Sequence, residues 1–330
     1  MKKILFITSQ YRVGERIYPI IPHLAKEYEL DLLKVYQMSK SHKWVGDDDL
    51  RLVFDLEYSA YFNEVFYDYC DSSKYDLIIS DDNRLTSKTG LDKIYKNKKA
   101  QMLACTHGNG GFANLNKSYN LVFDKCFTFG KYDTVHHAAI PVGIPANDKL
   151  FQYKNLDKKH ILIIVNFLGN RDCPYKVKFD YKFFNDKNLK ILQDYYKLPI
   201  IIKLKSRADE NGFQHNIKYL EKILPNSLNY RILIDVNDDN MLVAESICVI
   251  SAPSTLALKP IQLGIPTILI KDSGEVGSFE NYDGFFHIND NFLEYVYSYE
   301  RKVDYINNTI EGGLTFNSTS LMVNEIKKFL

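Results

Sequence analysis

The chain has 330 residues and carries 42 Lys and Arg side chains against 41 Asp and Glu side chains. This length is sufficient for two domains of ordinary size, each able to bury its own core. Because the opposite charges also cancel within each half of the sequence, the composition argues against a surface for polyanions, and we do not expect nucleic acid as a partner.

The cysteines and the apolar runs indicate the compartment. The five cysteines are an odd number and widely spaced, and three of them lie in or beside apolar runs. We interpret them as buried thiols in a reducing environment. Residues 4–7 are too few for a secretory signal, and no apolar run is long enough to span a bilayer. We therefore predict a cytoplasmic protein, and peripheral contact with the inner face of the membrane stays open.

Residues 1–150 alternate short apolar runs with helical patterns, as expected for a doubly wound α/β domain with a parallel sheet. We predict strands at residues 3–8, 30–35, 76–80, 101–106 and 125–129, a helical pattern at 17–28 and an aromatic helix at 50–69. Gly14 stands alone after the first strand. Because the spaced glycines of a dinucleotide-binding loop are missing, we do not predict a nicotinamide cofactor.

One predicted strand ends in a histidine followed by a glycine-rich stretch, from His107 to Gly111. In parallel sheets ligands bind beyond the carboxyl ends of the strands, and an imidazole with an ordinary pKa near 6.5 accepts a proton at neutral pH. We predict that His107 is a general base with Gly108 and Asn109 beside an acceptor, and that Gly14 and Asp81 also contact the acceptor. A glycine turn with an incidental histidine is the alternative.

Residues 141–159 are rich in proline and polar side chains, and we place the domain linker there. The alternation then resumes, with predicted strands at 160–165, 200–204, 231–234, 248–250 and 267–270 and helices at 183–196, 214–224, 239–246 and 255–263. This pattern predicts a second Rossmann-like domain at 151–316, facing the first across a cleft. Residues 317–330 predict a helix capped by the run from Asn317 to Ser320, which we expect to pack back on the first domain.

The turn after the strand at 248–250 has the composition of an anion site. Ser251, Ser254 and Thr255 supply hydroxyls where a strand passes into a helix, and helix N–H groups there attract phosphate. We predict that this turn holds the diphosphate of a donor. The alternative is that Ser254 only caps the helix.

Cations and polar loops elsewhere in the second domain would complete a donor site. Lys203, Lys205 and Arg207 alternate at a strand end, so that all three would lie on one face and offset charge on a leaving diphosphate. A polar strand exit is the alternative. We predict further donor contacts in the loop after the strand at 160–165 and in the loop 274–284, from Asn166, Gly169, Arg171, Glu275 and Glu280.

Sequence blocks between about residues 100 and 270 support this interpretation through their order. They are Thr106-His107-Gly108, the segment 142–148, and the segment 235–238 leading into 250–255. Together they resemble the CDP-glycerol glycerophosphotransferase family, the teichoic-acid and capsule polymerases. The resemblance implies a GT-B fold of two Rossmann-like domains, transfer of a nucleotide-activated group, and His107 as the catalytic base.

The pattern departs from this family at residues 203–207, where Lys-Leu-Lys-Ser-Arg replaces the second functional histidine. In addition, Lys259 stands in the helix where many retaining GT-B enzymes have a Glu of the Glu-x7-Glu pattern. The transferred group therefore stays open between a sugar and a polyol phosphate. Direct displacement needs one base and one stabilised leaving group, which favours an inverting, metal-independent reaction.

We therefore predict a glycosyltransferase of bacterial surface polysaccharide synthesis. Its donor would be a nucleotide sugar or a CDP-polyol, its acceptor a glycan or a lipid-linked hydroxyl, and it would need no cofactor. The alternatives are a nucleotide-sugar 2-epimerase of the same fold, a DNA-modifying glycosyltransferase or nucleic-acid binder, and a non-catalytic sugar-binding module.

Overall fold

A computed structural model describes residues 1–8, 14–35, 47–67, 69–81, 94, 96–106, 123–129, 139–165, 186–204, 217–218, 220–222, 224, 226–233, 239–251, 255–269, 286–287 and 316–330. The chain divides into two compact units. One consists of Met1–Lys149 together with Ile310–Leu330, and the other of Leu150–Thr309. Each unit is organised around one sheet in which every described strand pair is parallel.

The first unit contains a seven-stranded sheet. Its strands are β1 (Lys3–Thr8), β2 (Glu29–Lys34), β3 (Val65–Tyr67), β4 (Leu77–Ser80), β5 (Gln101–Cys105), β6 (Lys125–Thr128) and β7 (Ala139–Pro141). Their order is β3-β2-β1-β4-β5-β6-β7, so the direction of winding reverses between β1 and β4. Such a reversal opens a crevice at the carboxyl ends of the two strands, where parallel α/β sheets bind ligands.

Alternating side chains of β1 enter two separate hydrophobic clusters. Ile4 and Phe6 pack on one face and Leu5 and Ile7 on the other, and all four are fully buried. A strand covered on both faces has a continuous apolar sequence rather than an alternating one, which explains the run from Ile4 to Ile7. Helices of this unit include α1 (Ile21–Leu24) and α2 (Asp47–Glu57), with 3-10 helices at Tyr18–Ile20, Ser59–Tyr61 and Ser72–Lys74. The 3-10 helix Pro145–Tyr153 crosses the boundary between the two units, which follows Lys149.

The predicted aromatic helix at 50–69 is wrong beyond Glu57. The chain instead forms the 3-10 helix Ser59–Tyr61 and then the edge strand β3. The strand consists of only three apolar residues, too few to distinguish it from a continuation of the helical pattern, and Val65 and Tyr67 are 39% and 61% exposed. Its parallel pairing with β2 overrides the helical pattern, because strand preference depends strongly on tertiary context.

The second unit contains a six-stranded sheet in the order β10-β9-β8-β11-β12-β13. The winding therefore reverses between β8 and β11. The strands are β8 (His160–Val165), β9 (Ile200–Leu204), β10 (Tyr230–Leu233), β11 (Ser246–Ser251), β12 (Thr267–Leu269) and β13 (Phe286–His287). The sequence did not predict β7 and β13, since they have three and two residues and β7 ends in a proline.

The second unit also contains several helices. They include α3 (Asp186–Tyr196), α4 (Asp239–Ala244) and α5 (Leu258–Gln262), and residues 217–218 and 220–222 are also helical. Leu189 and Leu192 of α3 join Ile161 and Ile163 of β8 in one buried cluster. The odd-numbered residues of β8 therefore face α3, and Leu162 and Ile164 point to the opposite face.

The C-terminal helix α6 (Ser318–Lys327) packs on the first sheet, as the sequence predicted. Met322, Val323 and Ile326 are buried in the cluster that contains Ile4 and Phe6. Its predicted cap is wrong, because the Asn317 side chain makes no capping hydrogen bond. The carboxylate of Asp148 takes that place instead.

Candidate functional site

The reversal between β8 and β11 brings the predicted donor turn to the carboxyl edge of the second sheet. Ser251, the last residue of β11, pairs with Ile164 of β8, and Ile164 pairs with Lys203 of β9. Residues at one level of a parallel sheet point to the same face, and strands lie about 4.8 Å apart, so the Cα atoms of Lys203 and Ser251 are about 10 Å apart. Two predicted donor residues thus share one face near one edge.

Most of the predicted donor residues lie outside the described part of the chain. Ser251 is fully buried, so its predicted contact with the donor is not supported, because a ligand cannot reach an enclosed hydroxyl. The backbone of Thr255 begins a 3-10 helix that continues into α5. Asn166 follows β8 directly in the sequence, and β8 pairs with the strand that ends at Ser251. The residues outside the described ranges are Asn166, Gly169, Arg171, Lys205, Arg207, Ser254, Glu275 and Glu280.

Lys203 is paired with a carboxylate that the sequence did not identify. Its Nζ lies 3.3 Å from Oδ1 of Asp239, the first residue of α4, and the two side chains are 14% and 34% exposed. Within the described residues that buried Oδ1 accepts no hydrogen bond, so the contact is an ion pair without hydrogen-bond geometry. In the next residue, Asn240 Oδ1 accepts a hydrogen bond from Lys259 Nζ at 2.7 Å. Two lysines therefore contact the first turn of α4.

The other end of α4 is held by side chains that bind its last carbonyl oxygens. His160 Nε2 lies 2.9 Å from the Leu242 oxygen, Ser246 Oγ donates to Val243 at 2.6 Å, and Lys158 Nζ donates to Ala244 at 2.7 Å. Since a helix leaves its last carbonyls without intrahelical partners, these contacts fix the end of α4. Burial lowers the pKa of the His160 imidazole, although the hydrogen bond to Leu242 and the charge of Glu245 oppose that shift.

At the reversal of the first sheet, a buried carboxylate closes a chain of hydroxyl hydrogen bonds. Asp81 follows β4, and its Oδ2 accepts a hydrogen bond from Thr8 Oγ1 at 2.8 Å. The Tyr18 hydroxyl lies 2.7 Å from the same Oγ1, and because Thr8 has only one hydroxyl proton, Tyr18 donates. Asp81, Thr8 and Tyr18 are 1%, 2% and 3% exposed.

Gly14 lies against both ends of this chain. A Cβ atom at this position would lie 2.2 Å from Tyr18 Oη and 2.6 Å from Asp81 Oδ2, so any other residue would force buried groups to move. The structure therefore brings together the predicted acceptor residues Gly14 and Asp81, and adds Thr8 and Tyr18. We call Thr8, Gly14, Tyr18 and Asp81 the switch-point cluster.

The predicted base lies outside the described residues, as do Gly108 and Asn109. His107 follows Thr106, which is buried and donates its backbone N–H to the Phe127 oxygen at 2.9 Å. That bond extends the pairing of β5 with β6 to the residue before His107. The catalytic role of His107 stays a prediction.

The described residues offer no metal site and no exposed thiol. No group of three or more His, Cys, Asp and Glu side chains there could hold a metal ion. Cys70, Cys105, Cys126 and Cys248 are buried free thiols, and burial raises the pKa of Cys248 to about 12. Among the described helices, none has the length and apolarity to cross a membrane.

The chain is similar in structure to several nucleotide-sugar enzymes at low sequence identity. It matches a UDP-GlcNAc 2-epimerase from Neisseria meningitidis with a TM-score of 0.61 and 13% identity, over 99% of this chain and 100% of the other. MurG from Acinetobacter baumannii matches with a TM-score of 0.57 and 11% identity, over 99% of this chain and 100% of the other. A glycosyltransferase from Rickettsia africae matches with a TM-score of 0.58 and 13% identity, over 99% of both chains.

These similarities confirm the predicted fold, two parallel-sheet α/β domains of the GT-B type. No family model matches the chain, and no curated protein sequence matches it. The resemblance to the CDP-glycerol glycerophosphotransferase family therefore rests on the sequence blocks between residues 100 and 270, and the similar structures support its GT-B part.

Proposed function

We propose that the protein is a glycosyltransferase that moves a sugar or polyol-phosphate group from a nucleotide-activated donor to an acceptor hydroxyl. The second domain would hold the donor diphosphate at the carboxyl ends of β8 and β11. The first domain would hold the acceptor, with His107 as the general base. The reaction would be an inverting displacement that needs no metal ion.

The observation that carries the proposal is the position of the donor turn in the second sheet. Ser251 ends β11 and pairs with Ile164 of β8, and the winding of the sheet reverses between these two strands. Ligands of open parallel sheets bind at such a reversal. A nucleotide-activated donor also fits the similar structures, since the Neisseria meningitidis enzyme was solved with UDP-GlcNAc bound.

Nucleotide-sugar 2-epimerisation is the second candidate. It is supported by the structural similarity to the Neisseria meningitidis UDP-GlcNAc 2-epimerase. The two reactions differ in what they require. An epimerase acts on the donor alone, whereas a transferase forms its main product only when an acceptor hydroxyl is present.

A donor panel separates these two activities. The protein would be incubated with UDP-N-acetylglucosamine, UDP-glucose or CDP-glycerol, with and without glycerol as the simplest polyol acceptor. The released nucleotide would be measured, which is UDP when a sugar leaves a UDP-sugar and CMP when glycerol phosphate leaves CDP-glycerol. We expect release that increases with glycerol and persists in EDTA. Conversion of a UDP-sugar to its 2-epimer without acceptor would favour the second candidate, and no consumption of any donor would contradict both.

A further inference from the structure

The switch-point cluster is a continuous chain of buried polar groups. Tyr18 donates to Thr8 at 2.7 Å, and Thr8 donates to Asp81 at 2.8 Å. A buried hydroxyl or carboxylate without a partner is costly, so each member restricts the positions open to the others. These hydrogen bonds also connect two strands, because Thr8 ends β1 and Asp81 follows β4.

The turn at Gly14 is packed onto this chain. The Ile17 N–H donates to the Gly14 oxygen at 2.8 Å, which closes a turn directly above Tyr18 and Asp81. A Cβ at Gly14 would lie 2.6 Å from Asp81 Oδ2, so the backbone is as close to the carboxylate as glycine allows. The position of the turn therefore depends on where the hydrogen bonds hold Tyr18 and Asp81.

We propose that Thr8 and Tyr18 are positioning residues for the acceptor side of the site. Together with Asp81 they hold the turn at Gly14, beside the reversal of the first sheet. This inference rests on the proposed function, because the acceptor is assigned to the same edge of the first sheet. It changes the expected role of Asp81 from an acceptor ligand to a support for the turn.

Burial explains why Asp81 supports the turn instead of contacting substrate. At 1% exposure the carboxylate is covered, and its Oδ2 is already engaged by Thr8. A group that binds a substrate hydroxyl must be reachable by it, whereas a group that fixes a backbone turn must be enclosed. The four members of the cluster meet the second requirement.

The same domain offers a matched control at the opposite end of its sheet. Tyr75 Oη donates to Oδ2 of the fully buried Asp31 at 2.8 Å, just before β4 begins. Tyr75→Phe therefore removes the same kind of hydrogen bond as Tyr18→Phe, but at the amino end of the strands. Thr8→Val removes a hydroxyl at nearly constant volume, and Thr8→Ser keeps that hydroxyl.

Kinetics with glycerol as the acceptor probe tests the positioning role. With UDP-N-acetylglucosamine or CDP-glycerol as donor, Thr8→Val and Tyr18→Phe should raise KM for glycerol about 3- to 10-fold and leave the donor KM within about twofold. Thr8→Ser and Tyr75→Phe should resemble the unmutated protein. Equal effects of Tyr18→Phe and Tyr75→Phe, or a Thr8→Ser variant as impaired as Thr8→Val, would overturn the proposal.

Amide hydrogen exchange tests the same inference without any reaction. The Ile17 amide, which closes the Gly14 turn, should exchange about 10-fold faster in Thr8→Val and Tyr18→Phe but not in Tyr75→Phe. Unchanged protection of the Ile17 amide in both variants would show that the hydrogen bonds of Tyr18 and Thr8 do not hold the turn, and this result would not depend on any catalytic activity. If exchange responds as expected while the unmutated protein consumes no donor, the support role stands, and both the proposed function and the acceptor assignment fail.

Discussion

The carboxylate of Asp148 caps the C-terminal helix, with its Oδ1 2.9 Å from the backbone nitrogen of Ser318. The second carboxylate oxygen lies 2.8 Å from the nitrogen of Thr319. A helix leaves its first N–H groups without partners, and a carboxylate there also interacts favourably with the helix dipole. This contact gives a role to the last residue of the segment 142–148, which resembles a family motif in the sequence.

Replacing Asp148 by Ala should therefore weaken the attachment of α6. Loss of an N-cap costs about 1 kcal/mol of unfolding free energy, which corresponds to a decrease of about 2–4 °C in Tm for a domain of this size. Thermal unfolding would measure the decrease. Asp157→Ala, at an exposed position in the following segment, is the control and should leave Tm unchanged. Equal Tm values for both variants would show that the cap contributes nothing.

The ion pair between Lys203 and Asp239 leads to a second prediction. Because each side chain is partly buried, Lys203→Met should leave the Asp239 charge poorly compensated and lower the unfolding free energy by about 1–2 kcal/mol. The double variant Lys203→Met with Asp239→Asn should recover part of that loss. Chemical denaturation of all four proteins in the cycle would measure the coupling.

The same cycle separates two roles for Lys203. If Lys203 binds the donor, as the sequence predicted, affinity for a nucleoside diphosphate should stay low in the double variant even where stability recovers. Recovery of both would show that Lys203 acts only through Asp239. A cycle with no coupling in stability would contradict the ion pair itself.

His160 should make the second domain sensitive to acid. Burial lowers its pKa, so the folded state binds this proton less readily than the unfolded state. The stabilisation from the neutral imidazole is therefore complete above the ordinary value near 6.5 and is lost as the pH falls towards and through the lower folded pKa. His160→Gln keeps a donor for the Leu242 oxygen but removes the titration.

Stability measured between pH 7 and pH 5 tests this prediction. The difference in unfolding free energy between the unmutated protein and His160→Gln should narrow as the pH falls. His23→Gln, at an exposed position on α1, is the control and should follow the unmutated protein at each pH. A constant difference between the unmutated protein and His160→Gln would contradict the account.

His107→Ala tests the predicted base. Removing a general base costs about 10²- to 10⁴-fold in turnover, and donor affinity should be nearly unchanged because the diphosphate is assigned to the other domain. Activity of the unmutated enzyme should also fall on the acid side as an imidazole is protonated. Initial rates for His107→Ala, His136→Ala, His137→Ala and His287→Ala would be compared. If His107→Ala retained near-full turnover while one of the other three variants lost it, the base would have to be assigned to that other histidine.

The sequence predicted the buried strands well because their cause is local. The bounds of β1, β8 and β9 agree with the prediction to the residue, since each is a short apolar run bounded by polar or turn residues. The apolar run of the edge strand β3 has only three residues, which a local pattern does not separate from a helix, and the strand is defined by its pairing with β2. Edge elements of this kind are determined by tertiary contacts that a local pattern does not contain.

The sequence predicted which residues follow the strands, but not which of them contact one another. Gly14 and Asp81 were identified by their places after two strands, but their contact depends on β1 lying beside β4, which the strand order decides. Thr8 and Tyr18 gave no functional signal, because a polar residue at a strand end and a tyrosine in a helical pattern are both common. Asp239 was missed for a related reason, since its partner Lys203 belongs to a different strand–helix unit.

The central claim is that the turn from Ser251 to Thr255 holds a nucleoside diphosphate, and calorimetry with UDP, CDP and GDP tests it most directly. We expect one of the three to bind the unmutated protein. The double variant Ser254→Ala with Thr255→Ala should bind it more weakly by about 1–3 kcal/mol, the usual cost of lost hydrogen bonds to a charged group. Unchanged affinity in a folded double variant, or no binding of any of the three nucleotides to the unmutated protein, would contradict the account.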